Sequence, residues 1–239
     1  MTRLSVNINK VALLRNSRGG NIPDVVAFAL ACERLGADGI TVHPRPDERH
    51  IRRTDVLALR DALGVELNVE GYPSPAFLAL IQQVRPAQVT LVPDPPEART
   101  SDHGWDTVAQ AEFLRPIVAQ LKAWGVRVSL FVDPVPAMVE GAQALGADCV
   151  ELYTGPYAHH FLHNPEEAIA PYQAAAQRAA ELGLRLHAGH DLNLHNLRYL
   201  RLNLPHLAEV SIGHALIADT LYLGLAETLR RYKHALRDP

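Results

Sequence analysis

A single (β/α)8 TIM barrel is the fold this sequence predicts, and three observations carry it. Strand-like and helical patterns alternate about eight times along 239 residues, with no linker and no break in composition, as in a parallel α/β domain. One unit occurs twice: Leu35-Gly36-Ala37-Asp38-Gly39-Ile40 returns as Leu145-Gly146-Ala147-Asp148-Cys149-Val150, in each case a helix end, a glycine stop and a buried strand. Polar residues then sit at the strand tips, the end where barrel enzymes work. An open doubly wound sheet is the alternative, but it wants a glycine-rich dinucleotide turn after its first strand. Here the first strand leads instead into Lys10-Val11-Ala12-Leu13-Leu14-Arg15, and no GxGxxG is present. One domain spanning 1–239 is expected.

Eight short strands are expected at residues 4–9, 39–43, 66–70, 88–92, 127–132, 149–153, 185–190 and 209–214. Several, such as Val128-Ser129-Leu130-Phe131-Val132, read as runs without alternation, which suits burial on both faces. The helices between them carry their own boundaries. Residues 24–35 open on Pro23-Asp24 and stop at Gly36; 54–63 open on Thr54 and stop at Gly64; 75–84 follow Ser74 with proline at the first position. Residues 106–124, 135–145 and 165–182 stop at Gly125, Gly146 and Gly183, and 193–202 and 216–236 complete the set. Glycine recurs past helix ends because it takes the left-handed conformation cheaply. Two long connections, 93–105 and 154–164, follow strand ends and read as functional loops, the first as a lid.

Bulk composition narrows the function. Hydrophobic content of 48% and charged content of 21% are those of an ordinary globular protein, and a net charge of −3 does not favour nucleic acid. Cys32 and Cys149 lie in apolar runs and form no disulfide framework. With no signal-like leader and no long apolar span, no membrane partner and a cytoplasmic location are expected.

The strand tips carry the chemistry. They offer Asn7 and Asn9 from the first strand, read as two residues on one side, then His43 and Arg45, Glu70, Glu151, His190, and Gly213-His214. A lone histidine at a strand end is usually a capped or solvated side chain; three such tips and a glutamate point to a common mouth. Arg45, His50 and Arg52 follow a tip where a phosphate or polyol binds, although the 49–53 run also suits a solvated helix start. Gly213-His214 opens the last helix, and exposed backbone N–H groups there make an anion site. Metal catalysis is disfavoured: strand one holds asparagines, His187 and His190 are three apart, and there is no HExxH and no cysteine cluster.

These residues resemble the pyridoxine 5′-phosphate synthase family. The likeness runs through Val6-Asn7-Ile8-Asn9, Leu14-Arg15-Asn16-Ser17-Arg18-Gly19, Thr41-Val42-His43-Pro44-Arg45, Leu67-Asn68-Val69-Glu70, Thr154-Gly155-Pro156-Tyr157, Ala188-Gly189-His190 and Ile212-Gly213-His214-Ala215, in order over essentially the whole chain. The resemblance implies a condensation of 3-amino-2-oxopropyl phosphate with 1-deoxy-D-xylulose 5-phosphate, with no metal or organic cofactor, in a homo-octamer built from dimers. It implies His43 and Glu70 as proton acceptors and His190 as proton donor. Asn7, Arg18, Asp191, Gly213 and His214 would hold the aminoketone phosphate. Asn9, Lys10, Arg45, His50 and Thr100 would hold the deoxyxylulose phosphate, with Glu151 as a supporting carboxylate.

Three positions depart from the family pattern. Asn9-Lys10 stands where Asp-His is frequent, Asp191 where glycine is frequent, and Gly71-Tyr72 where Met-Ala is frequent. A carboxylate at 191 would have to turn away from a phosphate on its own backbone N–H. Two rivals are weighed against this reading. A phosphosugar aldolase or isomerase would want a Schiff-base lysine, for which Lys10 is the candidate among Lys10, Lys122 and Lys233. A non-catalytic pyridoxal phosphate carrier would need the phosphate contacts but not His43, Glu70 and His190.

Overall fold

In the computed structural model, which describes residues 1–94 and 101–237, the chain closes into the expected barrel. Eight parallel strands follow one another in chain order: β1 (Arg3–Asn7), β2 (Gly39–Val42), β3 (Glu66–Gly71), β4 (Gln88–Leu91), β5 (Arg127–Val132), β6 (Cys149–Tyr153), β7 (Arg185–Gly189) and β8 (Leu207–Ile212). β8 returns to β1, with Arg3 opposite Glu209 and Val6 opposite Ile212.

Val128–Val132 is buried at every position, as expected for a strand covered on both faces, but across the barrel the two faces of the strands differ in composition. Leu4, Val6, Ile40, Val42, Val69, Val89, Leu91, Val128, Leu130, Val132, Val150, Leu152 and Val210 are fully buried members of the apolar core. Each such aliphatic side chain is worth roughly 1.5–3 kcal/mol relative to exposure. Their neighbours face the barrel axis and are polar: Ser5, Thr41, Asn68, Gln88, Thr90, Ser129, Glu151, His187 and Ser211 are all buried. The pattern is easily missed because the inward set is mostly small and uncharged. Most of these groups meet partners across the axis, whereas the Ser129 hydroxyl has none among the described residues. Ser5 and Thr41 hydroxyls lie 2.7 Å apart, Thr90 donates to Asn68 Oδ1 at 3.1 Å, and Arg127 Nε donates to Gln88 Oε1 at 2.8 Å.

Around the strands run α1 (Asn9–Asn16), α2 (Val25–Arg34), α3 (Arg53–Ala62), α4 (Pro75–Val84), α5 (Ala111–Ala123), α6 (Pro136–Ala144), α7 (Gly155–Phe161), α8 (Pro165–Glu181), α9 (Leu197–Asn203), α10 (His214–Leu223) and α11 (Leu225–Ala235). The expected caps at Asp24, Ser74 and Asn164 accept from Ala27, Phe77 and Glu167 N–H. Gly36, Gly125, Gly146 and Gly183 have positive φ as expected past helix ends, whereas Gly64 does not.

Several expectations are corrected. β1 ends at Asn7, and Asn9 begins α1 instead of sharing a strand face with Asn7. The Asn7 side chain causes the change of direction, since its Oδ1 accepts from Asn9 N–H at 3.1 Å. α3 is capped at Arg52, not Thr54, because the Asp55 carboxylate takes the Arg52 N–H at 2.7 Å. α5 begins only at Ala111, and α9 at Leu197. The expected loop 154–164 holds α7, anchored by buried Tyr157, whose Oη donates to Asn196 O at 2.7 Å. Residues 216–236 form two helices, divided at Gly224 with φ 75°.

The expected lid, 93–105, lies partly outside the described residues, but its return is firmly held. Trp105 is 1% exposed; its N–H donates to Phe131 O at 2.8 Å and its Nε1–H to Leu91 O at 2.9 Å. Gly104 lies so close to the Val132–Asp133 backbone that a Cβ there would collide with it. Gly104→Ala should therefore cost about 1–3 kcal/mol, as overpacking does. A thermal melt should fall by roughly 2–10 °C; an unchanged melting temperature would contradict the close contact.

Candidate active site

The C-terminal ends of the strands surround a cavity of about 450 Å³. Its lining joins Asn7, Asn9 and Lys10 from β1 and α1, His43, Arg45, Arg49 and His50 from the segment after β2, and Glu70 from β3. Glu151 from β6, His190 and Asp191 after β7, and Ser211, Gly213 and His214 from β8 and α10 complete its polar wall. Twelve of the fourteen residues singled out from the sequence therefore share one cavity. Thr100 lies outside the described residues. Arg18 does not line the cavity: α1 runs outward and the turn after it leaves Arg18 exposed.

Helix α1 also fixes the segment after β2. Arg15, 1% exposed, bonds Asp55 through both guanidinium nitrogens at 2.6 and 2.9 Å and donates to His50 O at 3.1 Å. The Asn16 amide nitrogen faces the carbonyls of Glu48, Arg49 and His50 at 3.2, 3.1 and 2.8 Å. This holds His50 beside His43, with ring centroids 6.3 Å apart. His50 Nδ1 accepts from Ile51 N–H at 2.9 Å, so its proton is on Nε2 when neutral. Asn9 Oδ1 accepts from His43 N–H at 2.9 Å, making Asn9 a support for His43.

Burial and charge set the protonation states. Burial, then Arg45, His50 and Arg49, hold His43 well below the usual imidazole range, so it is neutral near pH 7 and able to accept a proton. Glu70 is pushed well above the carboxylate range by burial, with Glu151 and Asp94 adding to it and Arg45 opposing. Its Oε2 lies 4.0 Å from His43 Nδ1, and Asn7 Nδ2 donates to it at 3.5 Å. Glu151 is raised by burial and by Glu209, with Thr90 opposing. His50 is lowered to about 4, first by burial and then by Arg45. The site thus sets two carboxyls with raised proton affinity beside two imidazoles held toward their neutral form.

Two helices begin at this cavity. α10 starts after Gly213 and α1 after Ile8, and the first N–H groups of a helix have no carbonyl partner within it. The α10 start therefore offers donors and a partial positive charge to an anion, while at α1 the Asn9 and Val11 N–H groups are taken by Asn7 Oδ1 and Ile8 O, which leaves Lys10 N–H beside its side chain. Lys10 lines the cavity, whereas Lys122 pairs with Asp148 and Lys233 with Asp38.

Sequence reasoning missed several contributors. Arg45 Nη2 lies 2.6 Å from Asp94 Oδ2, both side chains are buried, and Ser101 Oγ donates to the same oxygen at 2.7 Å. Asp94, just past the end of β4, was available as a polar residue beside a strand tip. Phe131 and Ser211 also line the cavity, on the inward faces of β5 and β8, and strand alternation would have found both. Tyr72 stacks on Trp105 and Phe113 and lines an adjacent cavity of about 170 Å³ instead. Among the described residues, no group of three or more histidine, cysteine, aspartate or glutamate side chains could hold a metal ion.

The model of one protein family, the pyridoxal phosphate biosynthesis protein PdxJ, matches residues 4–238. The chain belongs to the PdxJ family. A pyridoxine 5′-phosphate synthase of Bacteroides thetaiotaomicron is 60% identical over 237 residues, covering 99% of this chain and 100% of that protein. The Cytophaga hutchinsonii protein of the same description is 57% identical, with the same coverage. More distant solved structures share the fold alone. A phosphoribosylanthranilate isomerase of Thermotoga maritima is 14% identical at TM-score 0.60, covering 99% of this chain and 98% of that one. One from Thermus thermophilus is 17% identical at TM-score 0.61, covering 98% of both chains. The PdxJ match takes in all of the barrel strands except the first residue of β1, and every cavity residue described above.

The buried carboxyl of Glu151 makes stability depend on pH. Its folded-state affinity for a proton is raised, so its contribution is complete below about 4.5 and is lost as pH rises toward about 8. Glu151→Gln, which cannot ionise, should melt near wild type at mildly acidic pH and several degrees above it in alkaline buffer. Parallel melting curves for the two proteins across that range would contradict the raised carboxyl.

Proposed function

We propose that His43, Glu70 and His190 carry the pyridoxine 5′-phosphate synthase reaction in this chain. That reaction joins 3-amino-2-oxopropyl phosphate to 1-deoxy-D-xylulose 5-phosphate and releases pyridoxine 5′-phosphate, inorganic phosphate and water. One observation carries the reading. Two helix starts open into the same cavity as a buried histidine held toward its neutral form and two buried carboxyls with raised proton affinity. Two phosphorylated substrates need two anion sites, and a ring closure that sheds water needs groups that both give and take protons.

Adding an amine to a ketone, losing water, eliminating phosphate and closing the ring each move a proton. His43, neutral and 4.0 Å from Glu70, takes protons from the reacting atoms and exchanges them with that carboxyl. Once Glu70 has released its proton, its buried carboxylate is a strong base, since burial raises its affinity for protons. His190 on the opposite wall donates to the departing oxygen. Gly213, His214, Asn7 and Asp191 stand around the α10 start, the place for the aminoketone phosphate. Asn9, Lys10, Arg45 and His50 stand around the α1 start, for the deoxyxylulose phosphate. Thr100 and Arg18 keep their assignments on the resemblance alone. No metal or organic cofactor enters this scheme.

The cytoplasm fits two buried free cysteines, Cys32 and Cys149. A homo-octamer built from dimers fits the apolar side chains left in water, among them Leu14, Ile22, Leu221 and Tyr222.

Purified protein mixed with both phosphates under a chelator should yield pyridoxine 5′-phosphate and free phosphate in equal amounts. No product would sink the assigned reaction, and product lost only with the chelator would sink the cofactor-free scheme. Glu70→Gln and His43→Asn should each slow turnover about 10²-fold or more; near-normal rates in both would remove their roles. Light scattering in solution should give a mass of eight times 26.3 kDa, and a monomer mass would exclude the octamer.

A further inference from the structure

β7 ends at Gly189, and the next two residues both have left-handed backbone, His190 at φ 92° and Asp191 at φ 58°. Glycine takes such a conformation freely, whereas a residue with a Cβ does so only when its surroundings impose it. The surroundings here are specific. The Thr154 hydroxyl lies against the carbonyls of Gly189 and His190, and Asn193 and Asn196 each donate to Asp191 O at 3.3 Å. The bend returns the Asp191 side chain onto the preceding ring, with Oδ2 2.9 Å from His190 Nδ1. Tyr153 meets that ring edge-on, centroids 5.1 Å apart.

The Asp191 carboxylate has no other hydrogen-bond partner among the described residues. It is half exposed at the mouth, beside the α10 start. A carboxylate there repels an approaching phosphate, and its backbone would be relaxed as glycine. Neither anion binding nor chain geometry accounts for the side chain; the bond to His190 does. The carboxylate is held below its usual range first by that hydrogen bond and then by the nearness of the His190, His214 and Lys10 side chains.

We propose that Asp191 is a positioning residue for His190: its carboxylate accepts from Nδ1–H, fixes the ring, and leaves Nε2 as the nitrogen that exchanges protons in the cavity. This rests on His190 being the proton donor. An imidazole without such a partner divides between two tautomers and turns about its bonds. Asp191 removes both freedoms, as carboxylate partners do for catalytic histidines elsewhere.

The test compares Asp191→Gly, Asp191→Asn, His190→Asn and the double variant of Asp191→Gly with His190→Asn, in steady-state kinetics with both substrates. Asp191→Gly should lower kcat about 10-fold or more, the usual cost of losing such a partner, while KM for the aminoketone phosphate does not rise, because a repelling carboxylate is lost. Its melting temperature should not fall, because glycine suits φ 58° at that position. Asp191→Asn, whose amide oxygen can still accept from Nδ1–H, should lie between wild type and Asp191→Gly. The double variant should be no slower than His190→Asn alone. In buffer alkaline enough for the ring to be neutral, nitrogen-15 shifts of His190 should report a single Nδ1–H tautomer in the wild type and a mixture in Asp191→Gly. An unchanged kcat, a loss confined to KM, identical ring shifts, or a double variant slowed by the product of the single effects would each overturn the proposal. A normal rate in His190→Asn would instead remove the donor role of His190 itself, and the positioning role with it.

Discussion

Closing eight parallel strands into a ring forces every second side chain onto the barrel axis, and in this chain those side chains are mostly polar. No solvent layer lies between the strands, so each inward group must find its partner across the axis or lose the free energy of its hydration. Thr41, Asn68, Gln88, Thr90 and Arg127 meet that requirement by bonding to one another or to neighbouring inward groups. The same axis carries Glu151 at its upper end, 3.4 Å from Thr90 Oγ1. A carboxyl enclosed in this way holds its proton more tightly; Glu70, raised first by its own burial, is raised further by any negative charge on Glu151. The chemistry at the mouth thus follows from how the barrel interior is filled.

The mouth adds fixed positive charge. Arg45, held by Asp94, and the start of α1 bring cationic or donor groups to one side, and the start of α10 does the same on the adjoining strand. Such groups suit anionic substrates and also keep His43 neutral, since a second cation beside Arg45 is disfavoured. Substrate binding and base strength are therefore set by the same residues. The joint burial of Arg45 and Asp94 is tolerable because the pair is close; removing one partner of such a pair typically costs about 3–5 kcal/mol.

Support for the site comes from outside the strands. Arg15 and Asn16 on α1 hold the segment carrying Arg49 and His50, while Asn193 and Asn196 hold the bend carrying His190 and Asp191. These groups lie far from one another in sequence and make their contacts only when the barrel has closed. Nothing in the composition of either segment marks them as supports.

The sequence by itself determined the alternation of elements, their order, most caps and most of the tip residues. Those depend on local propensities: Ser74 and Asn164 cap the helices that follow them, and Gly36 and Gly146 end those before them. His43, Glu70, Glu151 and His190 were legible because each stands at a strand tip, beside an apolar run. Only tertiary structure decided that Asn9 leaves the strand, that Arg18 faces water, that Arg45 is tied to Asp94, and that the Asp191 carboxylate folds back on His190. The physical reason is range. A cap or a turn is settled within a few residues, whereas the partner of a buried charge, the burial of a carboxyl and the direction of a side chain at a bend are settled by residues that meet only through the closed ring.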